Sequence, residues 1–292
     1  MGGGEEHEKE CILYERTSGS TVQCTACAHR CIIAKGKSGI CRVRKNDGGK
    51  LISLVYEKIA AENIDPIEKK PLFHFMPGTS TYSIGTVGCN FRCDFCQNFD
   101  IAVPKEIAGK PLQIDEIVEN AQYYGCESIS YTYNEPTIFI EMVRDAAKKA
   151  HEVGLKNVMV TNGYMTKEAL NCVAPHIDAM NIDLKAYTDA FYKKLCRGTL
   201  QPVLGTIKRA HEKKIHIEIT TLIIPGENDS EEEITKIAKF IAEIDPTIPW
   251  HISRFFPMYR MLDKTPTPRD ALYLAEQIGK KEGLKHVYIG NI

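Results

Sequence analysis

Three cysteines, Cys89, Cys93 and Cys96, stand in a C-x3-C-x2-C spacing within the run Gly88-Cys89-Asn90-Phe91-Arg92-Cys93-Asp94-Phe95-Cys96-Gln97-Asn98. This spacing limits the chain more than any other feature. Three thiolates this close on one loop can ligate three irons of a cubane and leave the fourth iron open to an outside ligand. The competing readings are weaker. A closed structural zinc site needs four ligands, usually from paired knuckles, and no fourth lies nearby in the sequence. A chance cluster of core cysteines would not require so tight a spacing.

Beyond Thr81 the sequence alternates β-rich and helix-patterned segments. The pattern predicts strands over residues 82–87, 128–133, 157–161, 179–184, 215–224, 251–256 and 286–289. Helical periodicity covers 114–124, 138–153, 231–244 and 269–282. Repeated βα units imply a parallel sheet, either doubly wound or curved into a full or partial barrel. The polar motifs then fall in one place. The cysteine triplet follows the first strand, Asn134-Glu135-Pro136 the second and Thr161-Asn162-Gly163 the third, while Asp183 and Lys185 end the fourth. Parallel α/β folds build their sites at this edge, so one site made from several βα loops is expected.

Residues 1–50 look different. Cys24, Cys27, Cys31 and Cys41 concentrate there among glycines, with little periodicity, as a small Cys-rich N-terminal metal-binding module. Four thiols can close a tetrahedral zinc site or hold a second, fully ligated iron–sulfur cluster. A metal would stabilise a segment with few apolar residues to pack. His29 could compete as a ligand, but is expected as an exposed loop residue. Residues 51–78, with Pro66, Pro71 and Pro77-Gly78, read as a connecting segment, and 79–292 as the main domain. At 292 residues and 43% hydrophobic content the chain can bury a large α/β core with such an appendage.

The remaining cysteines, Cys11, Cys126, Cys172 and Cys196, are expected to be buried or idle thiols. An odd total of 11 cysteines favours metal or redox chemistry over a full set of disulfides. With 37 Lys and Arg against 38 Asp and Glu there is no overall field for nucleic acid or anionic lipid. No apolar run reaches the roughly 18 residues of a membrane span. The start MGGGEEHEKE lacks the apolar core of a secretory signal, and Glu6 stands where a myristoylation motif wants Ser or Thr. A soluble cytoplasmic protein that binds neither nucleic acid nor membrane is expected.

With Phe95 as the aromatic before its last cysteine, the triplet resembles the signature of the radical S-adenosylmethionine (SAM) superfamily. The resemblance implies a [4Fe–4S] cluster on Cys89, Cys93 and Cys96, with SAM on the open iron and the segment around Phe95 against the adenine. It also implies a partial (β/α)6, TIM-like barrel. Asn134 and Glu135 occupy the place of a Gly-Gly-Glu-Pro motif that receives the SAM amino group; Glu135 matches and Asn134 replaces a glycine. A carboxylate suits an ammonium group, although a residue before Pro136 can equally open a helix. Thr161-Asn162-Gly163 resembles the Thr-Asn-Gly that borders SAM in glycyl-radical activating enzymes, with Val160 where an Asp is frequent. Asp183-Leu184-Lys185 resembles their Asp-Leu-Lys, whose lysine approaches the SAM carboxylate. On the strand over 251–256, Arg254 is a further candidate contact, on the face opposite His251 if the strand is regular.

The pattern Cys31-Ile32-Ile33, Gly36, Gly39, Cys41 and Val43-Arg44, with Asp65-Pro66-Ile67-Glu68-Lys69-Lys70-Pro71 and Pro249-Trp250-His251, is similar to the radical SAM component of the AmmeMemoRadiSam system. That group resembles pyruvate formate-lyase activating enzymes. The implied function is reductive cleavage of SAM to a 5′-deoxyadenosyl radical that abstracts hydrogen from a substrate, with ferredoxin or flavodoxin as electron donor. The substrate is either a glycine of a partner protein or a small molecule or other macromolecule. A non-catalytic zinc or iron–sulfur interaction protein is the reading from another class.

Overall fold

The computed structural model describes residues 9–292; the start of the chain, including Glu6, lies outside the described residues. An eight-stranded sheet organises the molecule. Its strands are β1 (Ala61–Pro66), β2 (Ser80–Gly85), β3 (Ser128–Tyr131), β4 (Lys156–Thr161), β5 (Ala179–Asp183), β6 (His216–Ile223), β7 (Trp250–Arg254) and β8 (Val287–Gly290). They lie side by side in chain order. β1 runs antiparallel to β2, and every later pairing is parallel.

Six helices fill the crossovers: α1 (Ile114–Tyr123), α2 (Ile140–Glu152), α3 (Lys167–Val173), α4 (Leu200–Glu212), α5 (Glu231–Ile244) and α6 (Arg269–Lys281). Strictly sequential strand order decides between the two topologies left open by the pattern. Right-handed crossovers in one direction place all the helices on one face, so the sheet curls around its other face as a barrel rather than reversing into a doubly wound sheet. The result is a partial (β/α)6 barrel with β8 as a further parallel strand and β1 at the opposite edge.

Local chemistry explains the elements. α2 buries Met142, Val143, Ala146, Ala147 and Ala150, a one-sided stripe at helical spacing, and ends with Lys149 and His151 near its carbonyl terminus. Gln113 and Glu116 form a reciprocal capping box on α1, and the Ser230 hydroxyl accepts from the Glu233 N–H to start α5. α3 and α4 were not among the expected helices. α3 has only seven residues, and α4 carries Pro202 and Gly205, which read as breakers in sequence. Pro202 falls in the first turn, where its missing N–H costs nothing.

Two small three-stranded sheets precede the barrel, one formed by Lys9–Glu10, Arg44–Asp47 and Lys50–Ser53, the other by Tyr14–Arg16, Val22–Cys24 and Ile32–Ile33. Their junction with the barrel is built into both cores. The Arg44 guanidinium donates to both oxygens of Glu141 on α2 at 2.8 and 2.9 Å, and the pair is wholly buried. The Thr166 hydroxyl donates to the Thr25 carbonyl at 2.7 Å.

At the N-terminal end of the strands the segment after β1 crosses the barrel. The Phe73 and His74 N–H groups donate to the Glu218 carboxylate at 3.0 and 2.8 Å, and His74 Nε2 meets the Tyr288 hydroxyl of β8 at 2.7 Å. Glu218 also bonds His216 and His251, at 3.0 and 2.6 Å. Burial works against its charge, but these four partners prevail and hold its carboxyl down at about 2. Among the described residues no helix is long and apolar enough to cross a membrane.

Candidate active site

The opposite end of the barrel is open. A cavity of about 420 Å³ lies over the C-terminal ends of the strands, within the range of small-molecule and cofactor sites. Cys89, Cys93, Cys96, Phe95, Asn134, Glu135, Thr161, Asn162, Asp183 and Lys185 all line it. The loop edge expected from the motif order is therefore one contiguous wall. Arg254 is not brought to it: its Nε donates to the Thr267 carbonyl at 2.8 Å and its guanidinium lies over the Phe256 ring. Alternation along β7 turns Ser253 to the cavity and Arg254 away.

The cysteine loop is fixed from three sides. The Arg92 and Asp94 N–H groups donate to the carbonyls of Cys196 and Leu195, at 2.9 and 3.0 Å. The Arg92 guanidinium reaches the carbonyls of Cys89 and Phe91 at 2.6 and 2.7 Å, and that of Ile40 in the N-terminal module. Gly88, at φ +94°, opens the loop, where a Cβ would stand 2.8 Å from the Cys41 carbonyl oxygen. The two cysteine regions are thus packed against each other at this glycine.

Asn134 spends its side chain on the entry to the loop. Its Oδ1 accepts from the Thr86 N–H at 3.1 Å, and its Nδ2 donates to the Thr86 hydroxyl at 3.0 Å and the Gly88 carbonyl at 2.8 Å. An asparagine in place of glycine therefore braces the cluster loop. Asn162 braces it from β4, its Nδ2 donating to Asn90 Oδ1 at 2.7 Å. His29 is half-buried rather than exposed; its Nε2 meets the Asn90 carbonyl at 2.8 Å and its ring packs on Tyr164.

Glu135 stands where β3 gives way to a helical turn. It caps the short 3-10 turn Pro136–Phe139, and its carboxylate faces the cavity. Oε1 accepts from the Thr137 N–H at 3.0 Å, the Thr137 hydroxyl at 2.5 Å and the Thr161 hydroxyl at 2.7 Å, whereas Oε2 accepts only from the Asn162 N–H, at 2.7 Å. Burial raises its carboxyl above the ordinary value despite those donors. A cation at the free side of Oε2 would return what burial removes.

Lys185 is buried and bonded to Asp183 at 2.7 Å. Burial opposes its charge, yet Asp183 and the neighbouring Cys93 and Cys196 raise it well above the usual lysine range. Its ammonium stands 5.8 Å from the centre of the Phe95 ring. Cys196, which spacing alone marks as idle, touches the site: its thiol bonds that of Cys93 and, with burial, lifts Cys93 far above the ordinary thiol value. Burial followed by the charge of Glu135 does the same to Cys89, and burial with Cys93 pushes Cys96 up to about 11. Three thiols that repel one another once ionised, on a braced loop beside a lysine, suit a bound cationic centre. Sulfur donors of this kind select iron–sulfur clusters or zinc.

In the N-terminal module Cys24, Cys27, Cys31 and Cys41 line a separate void of about 10 Å³ with Ile33 and Ile138. Burial raises the thiols of Cys27, Cys31 and Cys41. Among the described residues no three His, Cys, Asp or Glu side chains are drawn into a closed single-ion geometry.

The model of the Radical SAM superfamily matches residues 83–240. An uncharacterized protein of Methanocaldococcus jannaschii is 45% identical over 97% of this chain and 85% of its own length. A pyruvate formate-lyase-activating enzyme of Clostridium pasteurianum is 25% identical over 54% of this chain and 67% of its own. Among solved structures, Streptococcus suis SuiB bound to S-adenosylmethionine superposes with a TM-score of 0.57 at 17% identity, covering 70% of this chain and 49% of SuiB.

Proposed function

Because the chain belongs to the radical SAM superfamily, whose members use a [4Fe–4S] cluster and SAM, we propose that it is an enzyme that abstracts hydrogen from a substrate after reductive SAM cleavage. The observation that carries this is the convergence of Cys89, Cys93 and Cys96 with Glu135 and Lys185 on one cavity. When bound, the cluster supplies the single electron that divides SAM into methionine and a 5′-deoxyadenosyl radical, which then takes a hydrogen atom from the substrate.

The three cysteines hold the cluster and the braced loop fixes their spacing. Glu135 Oε2 receives the ammonium of SAM, where a charge-assisted bond is strongest in a dry site. Lys185 takes the carboxylate, with Asp183 holding its ammonium in position. Phe95 gives the adenine an apolar face, and Thr161 and Asn162 keep the Glu135 carboxylate aimed. Ferredoxin or flavodoxin would deliver the electron. Cys24, Cys27, Cys31 and Cys41 hold a separate metal; a void about the size of one water suits a single tetrahedral zinc rather than a second cubane.

Two substrate readings follow. Similarity to a pyruvate formate-lyase-activating enzyme supports a glycine on a partner protein. The polar wall facing the cysteines supports a small molecule instead. Incubating the reduced, reconstituted protein with candidate partners separates them: a glycyl-radical doublet in electron paramagnetic resonance supports the first. Transfer of deuterium from a labelled small molecule into 5′-deoxyadenosine, with no doublet, supports the second. A protein that never yields 5′-deoxyadenosine is not a radical SAM enzyme.

A further inference from the structure

Part of the cavity wall comes from β1 and the segment after it, and it carries charge that the cofactor reading does not use. Lys70 is only 4% exposed, and its ammonium bonds Asp65 Oδ2 at 2.6 Å while standing 4.8 Å from the centre of the Tyr133 ring. Lys69 bonds the other oxygen of the same carboxylate at 3.0 Å, and the Tyr133 hydroxyl donates to it at 2.9 Å. Two ammonium groups thus share one carboxylate, so the wall carries a surplus positive charge. Burying Lys70 costs it hydration that Asp65 alone returns only in part, and its pKa falls accordingly.

The site is also held in a costly backbone conformation. Tyr133, a bulky residue, sits at φ +68°, and the Asn98 side chain grips its carbonyl at 2.7 Å. Strain of this kind persists where surrounding structure over-determines it, commonly at ligand clamps. Here it presents the Tyr133 ring to Lys70 and the hydroxyl to Asp65.

With the SAM ammonium on Glu135 and its carboxylate on Lys185, the zwitterion of the cofactor is satisfied without Lys69 or Lys70. A glycine within a polypeptide brings no charge for them either. We propose that Asp65, Lys69, Lys70 and Tyr133 form an anion subsite that seats a carboxylate or phosphate group of a small-molecule substrate beside SAM. This rests on the assignment of Glu135 and Lys185 to the cofactor. Lysine provides a point charge with three donors, of which Asp65 occupies one on Lys70, leaving two for the incoming oxygens. Lys69, two-thirds exposed and paired with the other oxygen of Asp65, adds a second ammonium to the subsite.

The test is isothermal titration of the reconstituted, SAM-loaded protein with inorganic phosphate, with malonate, and with neutral malonamide. Wild type should bind at least one anion and not malonamide, and the stronger of the two anions identifies the source of the charge. Lys70→Met should weaken that binding at least tenfold, and Lys70→Arg should keep it within about threefold, which separates lost charge from lost folding. Lys185→Met should instead lower affinity for SAM. Anion binding that is absent in wild type, or unaltered by Lys70→Met, overturns the subsite. A loss of SAM affinity in Lys70→Met that matches the loss in Lys185→Met also overturns it, by moving Lys70 to the cofactor. The enzyme reading fails separately: a wild type that binds phosphate through Lys70 but never cleaves SAM keeps the subsite and loses the radical chemistry.

Discussion

Two groups of cysteines meet at Gly88, and their surroundings differ in every respect that matters for chemistry. Cys89, Cys93 and Cys96 face a cavity of about 420 Å³ with a carboxylate, an ion-paired lysine and an aromatic ring around it. Cys24, Cys27, Cys31 and Cys41 face a void of about 10 Å³ lined otherwise mainly by apolar side chains. Three ligands with room leave a position for a reactant; four ligands without room close the metal off. Thiol content is similar in the two places, and on the proposed reading what separates a reactive centre from a fastening is the space and the polar groups beside it.

The comparison breaks most visibly by mutation of one cysteine from each group. Cys93→Ala should abolish reductive SAM cleavage, by about a thousandfold or more if the whole machinery depends on the cluster, as measured by chromatography of 5′-deoxyadenosine. Cys27→Ala should instead release one metal equivalent and lower thermal stability, with cleavage reduced only as far as folded protein is lost. Equal loss of cleavage with intact folding in both variants would mean that the N-terminal group is also catalytic.

Within the open centre, Glu135→Gln keeps the shape of the side chain and removes its charge. Affinity for SAM should fall by about 10- to 100-fold, corresponding to roughly 1.5–3 kcal/mol for a hydrogen bond to a charged group. Equilibrium dialysis with labelled SAM checks this, and unchanged affinity would reduce Glu135 to its capping role.

The order of these sites was readable in sequence because it depends on chain order: strands, helices and the motifs after each strand follow from periodicity. Long-range partners were not readable. That Cys196 touches Cys93, that Asn134 serves the loop at 86–88, and that His29 reaches the Asn90 carbonyl depend on crossovers that bring distant residues together. Arg254 shows the limit of alternation, which sorts residues onto two faces but does not say which face is inner. The barrel-closing role of residues 71–75 was equally hidden, since it rests on backbone N–H groups of Phe73 and His74, which have no signature in sequence.

The fastening between module and barrel is read in stability rather than in affinity. Arg44→Met leaves Glu141 buried without its partner and should destabilise the protein by about 3–5 kcal/mol. The double variant Arg44→Met, Glu141→Leu should recover much of it in chemical denaturation. A cost below about 1 kcal/mol, as for a surface pair, would show that the module is loosely attached.

A pH-dependent effect lies at the far end of the barrel. Glu218 has its carboxyl lowered from an ordinary 4.5 to about 2 in the folded protein, so it contributes stability in full above the unfolded value. That contribution is lost as pH falls from about 4.5 through 2, and amounts to about 3 kcal/mol at neutral pH. Glu218→Gln should therefore be destabilising at pH 7, with most of that cost gone by pH 2.5. A difference that does not shrink with acid would assign the effect to packing.

On the proposed function the open cysteine centre cleaves SAM. Wild-type protein, purified and reconstituted with iron and sulfide without oxygen, then reduced and mixed with SAM, should be brown and should form 5′-deoxyadenosine and methionine in equal amounts. A colourless protein that carries only zinc, takes up no cluster and leaves SAM intact would contradict the account.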